Sequence, residues 1–264
     1  MIPAQPIRFN DGDAYERAMG AWSRIAGDVF ATWLAPAPGL RWLDVGCGSG
    51  AFTQLLADRC APAELQGIDP AEAQLVFARA RPAASIATFQ TGDAMALPFP
   101  DNRFDAAVMA LVIFFVPEPA KGVAEMARTV CPGGTVSAYA WDVLNGGFPF
   151  EPFQAELRPL GFQPMLPPSP QASRLDVLRD LWSGAGLTAV ETRTIEIERT
   201  FADFDELWSV TTKMGVMQAM LATLAEADLA ALKARLRARL PADAAGRITY
   251  GARANAVKGR VLEG

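Results

Sequence analysis

Histidine is absent from all 264 residues. That single absence removes Ser-His-Asp and Cys-His catalysis, imidazole metal ligands and an imidazole base. Cysteine is almost as scarce: Cys47, Cys60 and Cys131 lie far apart, fit no ligand spacing and leave an odd one over, which suits free thiols in a reducing cytoplasm and no metal site. Positive charge is not in excess either. A formal net charge of −5 offers no general attraction to phosphate backbones, so nucleic acid is not expected as a partner. The longest apolar run, FDAAVMALVIFFV from Phe104 to Val116, is broken early by Asp105 and is shorter than the roughly 20 residues of a spanning helix. No membrane span is therefore expected. The start, MIPAQPIRFNDGD, has no basic segment followed by an apolar core, so export by a standard signal is not expected. Repeats and low-complexity tracts are missing as well.

What is present is an alternation of element signals. Apolar positions from Met19 to Trp33 recur at three- and four-residue steps, predicting a helix over Asp13–Leu34 that Pro36 and Pro38 close. Strands are predicted over Leu40–Val45, Leu65–Ile68, Ile86–Thr91, Phe104–Leu111 and Thr135–Trp141, and helices over Ala51–Arg59, Ala71–Arg81 and Glu118–Val130, the last ended by a CPGG turn. Strands alternating with helices imply a parallel α/β sheet whose ligand lies at the carboxyl ends of the strands. After Asp142 the rhythm breaks. Asn145–Ala172 is rich in Gly, Pro and Phe without periodicity, Leu175–Ala185 reads as a helix and Ala189–Arg199 alternates like a half-exposed strand. Phe204–Leu240 reads as helix in two or three pieces, and Ile248–Val261 as a final strand.

The chemistry gathers in LDVGCGSGAF, Leu43–Phe52, where three glycines follow a strand that ends in an acid. Missing Cβ atoms let a ligand lie against the main chain, and a helix start can aim backbone N–H groups at it. Gly46, Gly48 and Ala51 also satisfy the dinucleotide pattern G-x-G-x-x-G/A, so the loop alone does not choose between a nicotinamide nucleotide and another adenosine. Asp69 in LQGIDP ends the second strand, where a carboxylate accepts from two ribose hydroxyls. Asp93 in QTGDAMALPF ends the third and can accept from an exocyclic adenine amine. Asp44 adds negative charge inside the glycine motif. Acids along the site with no basic residue in the loop describe a cationic nucleoside better than a diphosphate.

In LDVGCGSG, GIDP, GDAMALPFPDNRFD and AAVMALVIFFVPEPAKGVAEMARTVCPGG the sequence resembles the successive motifs of class I S-adenosylmethionine-dependent methyltransferases, most of all the small-molecule group that includes the ubiquinone and menaquinone methyltransferases. The resemblance is dense over 14–142 and an outline elsewhere. It implies a Rossmann-like three-layer sandwich with a seven-stranded, mostly parallel sheet ending in an antiparallel hairpin formed by Ala189–Arg199 and Ile248–Val261. It implies that Asp44 and the Gly46, Gly48 and Gly50 backbone hold the methionine part of S-adenosyl-L-methionine, Asp69 the ribose, and Asp93 with the Ala94 N–H the adenine. Leu111 would lie near the sulfonium, and Tyr15 and Arg24 would cover the cofactor. Where many relatives carry a histidine, Phe114 and Phe115 stand here.

The chain thus reads as one methyltransferase domain, 1–264, with a cofactor core at 14–142 and lid or cap insertions at 143–174 and 202–240. Large apolar groups outside the core strands, among them Phe148, Phe150, Phe153, Trp182, Trp208, Met214 and Met217, point to a small hydrophobic or aromatic acceptor if they do not simply pack the cap. Glu118, Tyr139, Asp142 and Glu151 could act as bases, but none has a context that singles it out, and no catalytic residue is assigned. Lys233, Arg235, Arg237 and Arg239 spread round a helix and read as solvated surface. A nicotinamide-dependent oxidoreductase and a cofactor-binding protein without transfer activity are the alternatives. Acceptor identity, the methylated atom and oligomeric state do not follow from the sequence.

Overall fold

The computed structural model describes residues 16–163, 166–213 and 215–263. A short π-helical turn, Glu16–Gly20, leads into helix α1 (Ala21–Leu34). There follow β1 (Arg41–Val45), α2 (Ala51–Cys60), β2 (Glu64–Asp69), α3 (Glu72–Arg79), β3 (Ala87–Thr91), β4 (Phe104–Ala110), α4 (Pro119–Thr129) and β5 (Val130–Trp141). The remainder contains α5 (Glu151–Leu157), α6 (Leu175–Gly184), β6 (Thr188–Phe201), α7 (Phe204–Thr212), α8 (Gly215–Leu221), α9 (Glu226–Arg239) and β7 (Ile248–Arg260).

The strands form one seven-stranded sheet in the order β3-β2-β1-β4-β5-β7-β6. Strands β1 to β5 pair in parallel, and β7 runs antiparallel to β5 from Trp141↔Ala254 to Thr135↔Arg260. The central strands are apolar on both faces because helices cover both: Trp42, Leu43 and Val45 of β1, and Ala106 to Met109 of β4, are all buried. The chain steps outward from β1 to β3, then returns to start β4 on the other side of β1. Right-handed crossovers then put α2 and α3 on one face and α4 on the other, and leave the switch point between β1 and β4. The three-layer sandwich, the mostly parallel sheet and the terminal antiparallel strands all appear as expected.

Two local expectations need correction. The CPGG segment does not simply end a helix, because β5 already begins at Val130, which pairs with Phe104 before an irregularity leads to Ala106↔Thr135. Gly133, at φ +76°, donates its N–H to the Val261 carbonyl at 2.9 Å, so the turn is tied into the sheet. The stretch between Asn145 and Ala172 is not without structure either. It holds α5 and two single 3-10 turns, Arg158–Leu160 and Pro170–Ser173, each opened by a proline and too short to leave a periodic pattern.

The chain divides into two compact units. The larger comprises Arg24–Asn145, Leu166–Ile195 and Arg253–Gly264. In it Tyr139 packs against Phe30 and Phe52, with ring centroids 4.6 and 5.8 Å away, and the buried Trp182 indole donates to the Val136 carbonyl at 2.9 Å. The smaller comprises the chain up to Ser23, Gly146–Met165 and Glu196–Ala252. There α7 opens with a reciprocal cap: Asp203 accepts the Glu206 N–H at 2.8 Å, and Glu206 accepts the Ala202 N–H at 2.6 Å.

The basic face of α9 is not merely solvated. Glu156 of α5, its side chain only 10% exposed, accepts from Arg235 Nε at 2.9 Å and Arg239 Nε at 2.7 Å. Arg237 lies 4.0 Å over the Phe204 ring and Lys233 4.8 Å over Trp208. All four cations thus hold α9 against α5 and α7. Replacing Glu156 with Ala leaves two half-exposed guanidiniums without their shared acid, which lies between the exposed-pair and buried-pair regimes, so it should cost about 1–3 kcal/mol. Urea unfolding of Glu156→Ala measures this, and a loss within error of zero would return α9 to the solvated reading.

Candidate functional site

The carboxyl ends of β1, β2 and β4 meet at the glycine loop. Gly46, at φ +75°, turns the chain directly after Val45, and a Cβ there would stand 2.5 Å from Val112 Cγ1, just past β4. Glycine is therefore required twice over, by the left-handed backbone and by the approach of Val112. Gly48, at φ +52°, is different, because a Cβ there would meet nothing within 4 Å. Bare main chain at that point faces open space rather than a packed neighbour. Gly50 caps α2 at φ +77°, and its Cβ would press on Ala78 at 3.0 Å. Gly67 of β2 completes the packing, since any side chain there would strike Phe89 and the Cys47 sulfur.

Four of the loop's N–H groups are already used. Gly46 and Cys47 both donate to the Ile68 carbonyl, at 2.7 and 3.0 Å, Gly50 donates to Cys47, and Gly48 donates to Asp69 Oδ2 at 2.9 Å. These four donors are therefore turned into the protein rather than toward a ligand. A diphosphate needs such donors, and four of them are spent inside the protein. One cation does reach the loop from outside it: Arg81 Nε donates to the Ser49 carbonyl at 2.6 Å. No local pattern announces that contact across 32 residues.

Acceptors, by contrast, are plentiful. Asp44 on β1 is wholly buried, takes one hydrogen bond at Oδ2 from the Thr53 hydroxyl at 2.6 Å, and leaves Oδ1 without a partner. Burial, opposed by the Thr53 bond, pushes its pKa up from 3.8 to about 7. Its negative charge is therefore not permanent, a qualification that the sequence did not carry. Asp69 accepts the Ala71 N–H at Oδ1, 2.8 Å, as well as Gly48, and burial raises its pKa too. Each of its oxygens keeps a second lone pair. Asp93 lies one strand further out, exposed, bridging to Ala96 and accepting the Met95 N–H at 2.8 Å. Ala94 beside it is half-buried.

Leu111 adopts φ +63° directly after β4 and donates its N–H to the Tyr139 carbonyl at 2.8 Å. A left-handed leucine is strained, and such strain gathers where surrounding structure holds a functional turn. Arg24 is exposed on α1, and Tyr15 lies outside the described residues. The buried Cys47 thiol is pushed far up by burial and by Asp44, which removes it as a nucleophile. Of the candidate bases, Asp142 is held by Arg253 at 2.9 Å and Glu151 by Arg158 at 2.8 Å. Tyr139 sits in the ring cluster. Among the described residues no helix is long and apolar enough to cross a membrane, and no group of His, Cys, Asp or Glu could hold a metal.

Four inward-turned donors and a buried carboxylate oxygen without a partner among the described residues fit a cationic ligand better than a diphosphate. A family described as "Methyltransferase domain" matches residues 43–138. An uncharacterized protein of Mycobacterium tuberculosis is 31% identical over 196 residues, 69% of each chain. The chain belongs to the class I S-adenosylmethionine-dependent methyltransferases. A demethylmenaquinone methyltransferase of Symbiobacterium thermophilum is 41% identical over 102 residues, which is 37% of this chain and 41% of that protein, so the match spans under half of its length. In fold, the YcgJ protein of Bacillus subtilis superposes with a TM-score of 0.57 at 17% identity, over 90% of this chain and 99% of that one.

S-adenosylmethionine fits the residues present. Asp44 Oδ1 is an acceptor without a partner among the described residues, of the kind an ammonium would need, and the open face of Gly48 leaves room beside the main chain. Asp44 also sets a pH dependence in this methyltransferase. An acid whose pKa is higher folded than unfolded makes the native state lose stability as pH rises from about 4 to about 7, by at most about 1.4 kcal/mol per unit. Asp44→Asn should remove that component. Denaturant unfolding at pH 4.5 and 7.5 should therefore show the variant gaining on the wild type at the higher pH, and parallel behaviour would contradict the raised pKa.

Proposed function

We propose that the chain transfers the methyl group of S-adenosylmethionine to a small, apolar, ring-containing acceptor of the quinone kind. The observation that carries the cofactor half is the buried, half-satisfied Asp44 carboxylate beside a glycine loop that turns the N–H groups of Gly46, Cys47, Gly48 and Gly50 inward. The acceptor half is supported by the named quinone methyltransferase among its relatives. In this reading Asp44 receives the ammonium of the methionine part, with the Gly46, Gly48 and Gly50 backbone beside it. Asp69 takes the ribose hydroxyls on its remaining lone pairs, and Asp93 with the Ala94 N–H takes the adenine. Leu111 borders the sulfonium, and Tyr15 and Arg24 close over the cofactor. We retain 14–142 as the cofactor core of a single methyltransferase domain and assign the acceptor's selection to 143–174 and 202–240, which lie outside the matched family segment.

The sulfonium supplies an electrophile that is already activated. Holding donor and acceptor in line can then account for much of the acceleration, on the order of 7–11 kcal/mol for well-oriented partners. No side chain is assigned as base: the candidate carboxylates Asp142 and Glu151 are neutralised by arginines, which suits a positioning mechanism. The net charge of −5 supports a small molecule over nucleic acid, and three free cysteines support a reducing cytoplasm.

Calorimetric titration tests the reading. S-adenosylhomocysteine should bind with micromolar affinity while NAD and NADP do not, and the reverse preference would overturn it. Asp69→Ala removes a charged acceptor and should weaken S-adenosylhomocysteine binding by roughly 1.5–3 kcal/mol. An unchanged affinity would remove Asp69 from the site.

A further inference from the structure

Four buried side-chain polar atoms lack a hydrogen-bond partner among the described residues: Asp44 Oδ1, Trp42 Nε1, Trp22 Nε1 and the Tyr250 hydroxyl. Two of the four belong to one cluster, inside the smaller unit. The Trp22 and Tyr250 ring centroids are 5.0 Å apart, and Tyr250 stacks on Phe201 at 5.8 Å with ring planes 10° apart. Trp22 is fully buried and Tyr250 is 8% exposed. An orphaned buried donor costs about 1–3 kcal/mol, so two side by side are unusual in a native core.

A third donor stands with them. The Arg199 guanidinium lies 4.4 Å over the Phe201 ring and donates through Nη1 to the Ala18 carbonyl at 2.9 Å. Burial pulls its pKa down, and the Tyr250 phenol and the Glu206 carboxylate are the titratable groups near it. Glu206, however, is engaged as the reciprocal cap of α7, and no carboxylate forms an ion pair with Arg199 among the described residues. The cluster is thus rich in donors and holds no anion: an indole N–H, a phenol O–H and the remaining guanidinium N–H groups, set among aromatic rings.

We infer that Trp22, Arg199 and Tyr250 form a seat for the carboxylate of a planar aromatic ligand. Two carboxylate oxygens offer about four acceptor positions, which an Arg fork, an indole N–H and a phenol O–H can share. Phe201, Trp22 and Tyr250 supply the flat apolar contacts that an aromatic body prefers. A neutral quinone or a simple phenol offers single acceptor oxygens without full charge, and would leave the guanidinium unneutralised. The seat lies wholly within the smaller unit, and its binding does not depend on the methyltransferase reading.

The test uses the full chain with 2-naphthoate as probe and 2-naphthol as its uncharged counterpart on the same ring system. In an amide and indole nitrogen–proton spectrum the chain gives signals from six tryptophans, and Trp22→Phe identifies the one that matters. Naphthoate should move the Trp22 indole signal and bind at least ten-fold more tightly than naphthol. Arg199→Gln should weaken naphthoate at least ten-fold. Tyr250→Phe should weaken it without lowering Tm, because the hydroxyl it removes has no partner in the ligand-free fold. A Trp22 signal indifferent to millimolar naphthoate, equal affinity for naphthol, or a Tm loss of several degrees in Tyr250→Phe would each overturn the proposal. S-adenosylhomocysteine titration of the same sample separates the two readings. Cofactor binding with a silent Trp22 removes only the carboxylate seat, whereas naphthoate binding without cofactor binding keeps the seat and removes the methyltransferase reading.

Discussion

A carboxylate sealed from water with one hydroxyl for company is the constraint around which the larger unit is organised. Asp44 is the next-to-last residue of β1, where the Thr53 hydroxyl satisfies one oxygen and nothing among the described residues satisfies the other. Such a group is costly, and the fold lowers the cost by allowing it a proton near pH 7 rather than by pairing it with a cation. Its unfilled oxygen is most economically explained by an ammonium that arrives with a ligand. The surrounding glycines then have separate tasks. Gly46 lets Val112 close on the loop, Gly50 lets α2 begin against Ala78, and Gly48 keeps the main chain open.

The same arrangement distinguishes this loop from a phosphate cradle. Both begin with a strand, a glycine-rich turn and a helix, and both satisfy the same short pattern. They differ in where the backbone donors go. Here the Ile68 carbonyl and the Asp69 carboxylate take the N–H groups of Gly46, Cys47 and Gly48, and the acids Asp44 and Asp69 stand beside the loop. Asp69 fixes the loop through Gly48 and the start of the next turn through Ala71.

The alternation of strands and helices and the acids near three strand ends could be read from the sequence because each depends on local signals: buried strand runs, helix periodicity, and turn residues placed directly after a strand. What could not be read depends on distant partners. The spent N–H groups of Gly46 and Cys47 require knowing that β2 lies beside β1. Arg81 reaches Ser49 from beyond α3, and Glu156 draws in Arg235 and Arg239 from about eighty residues away, so an alternating run of cations looked merely solvated. Asp44 was legible as an acid but not as one whose pKa is raised to about 7, since that shift reflects burial. Likewise Trp22, Arg199 and Tyr250 carry no shared motif, and only the folded chain makes them neighbours.

The account stands or falls on Asp44 meeting a cation. Calorimetry of S-adenosylhomocysteine binding between pH 5.5 and 8, in two buffers of different ionisation enthalpy, measures that encounter directly. Affinity should rise with pH until it levels near 7, with a proton released on binding below that point, and both features should vanish in Asp44→Asn. Binding that ignores pH, or that releases the same proton in the variant, would contradict it.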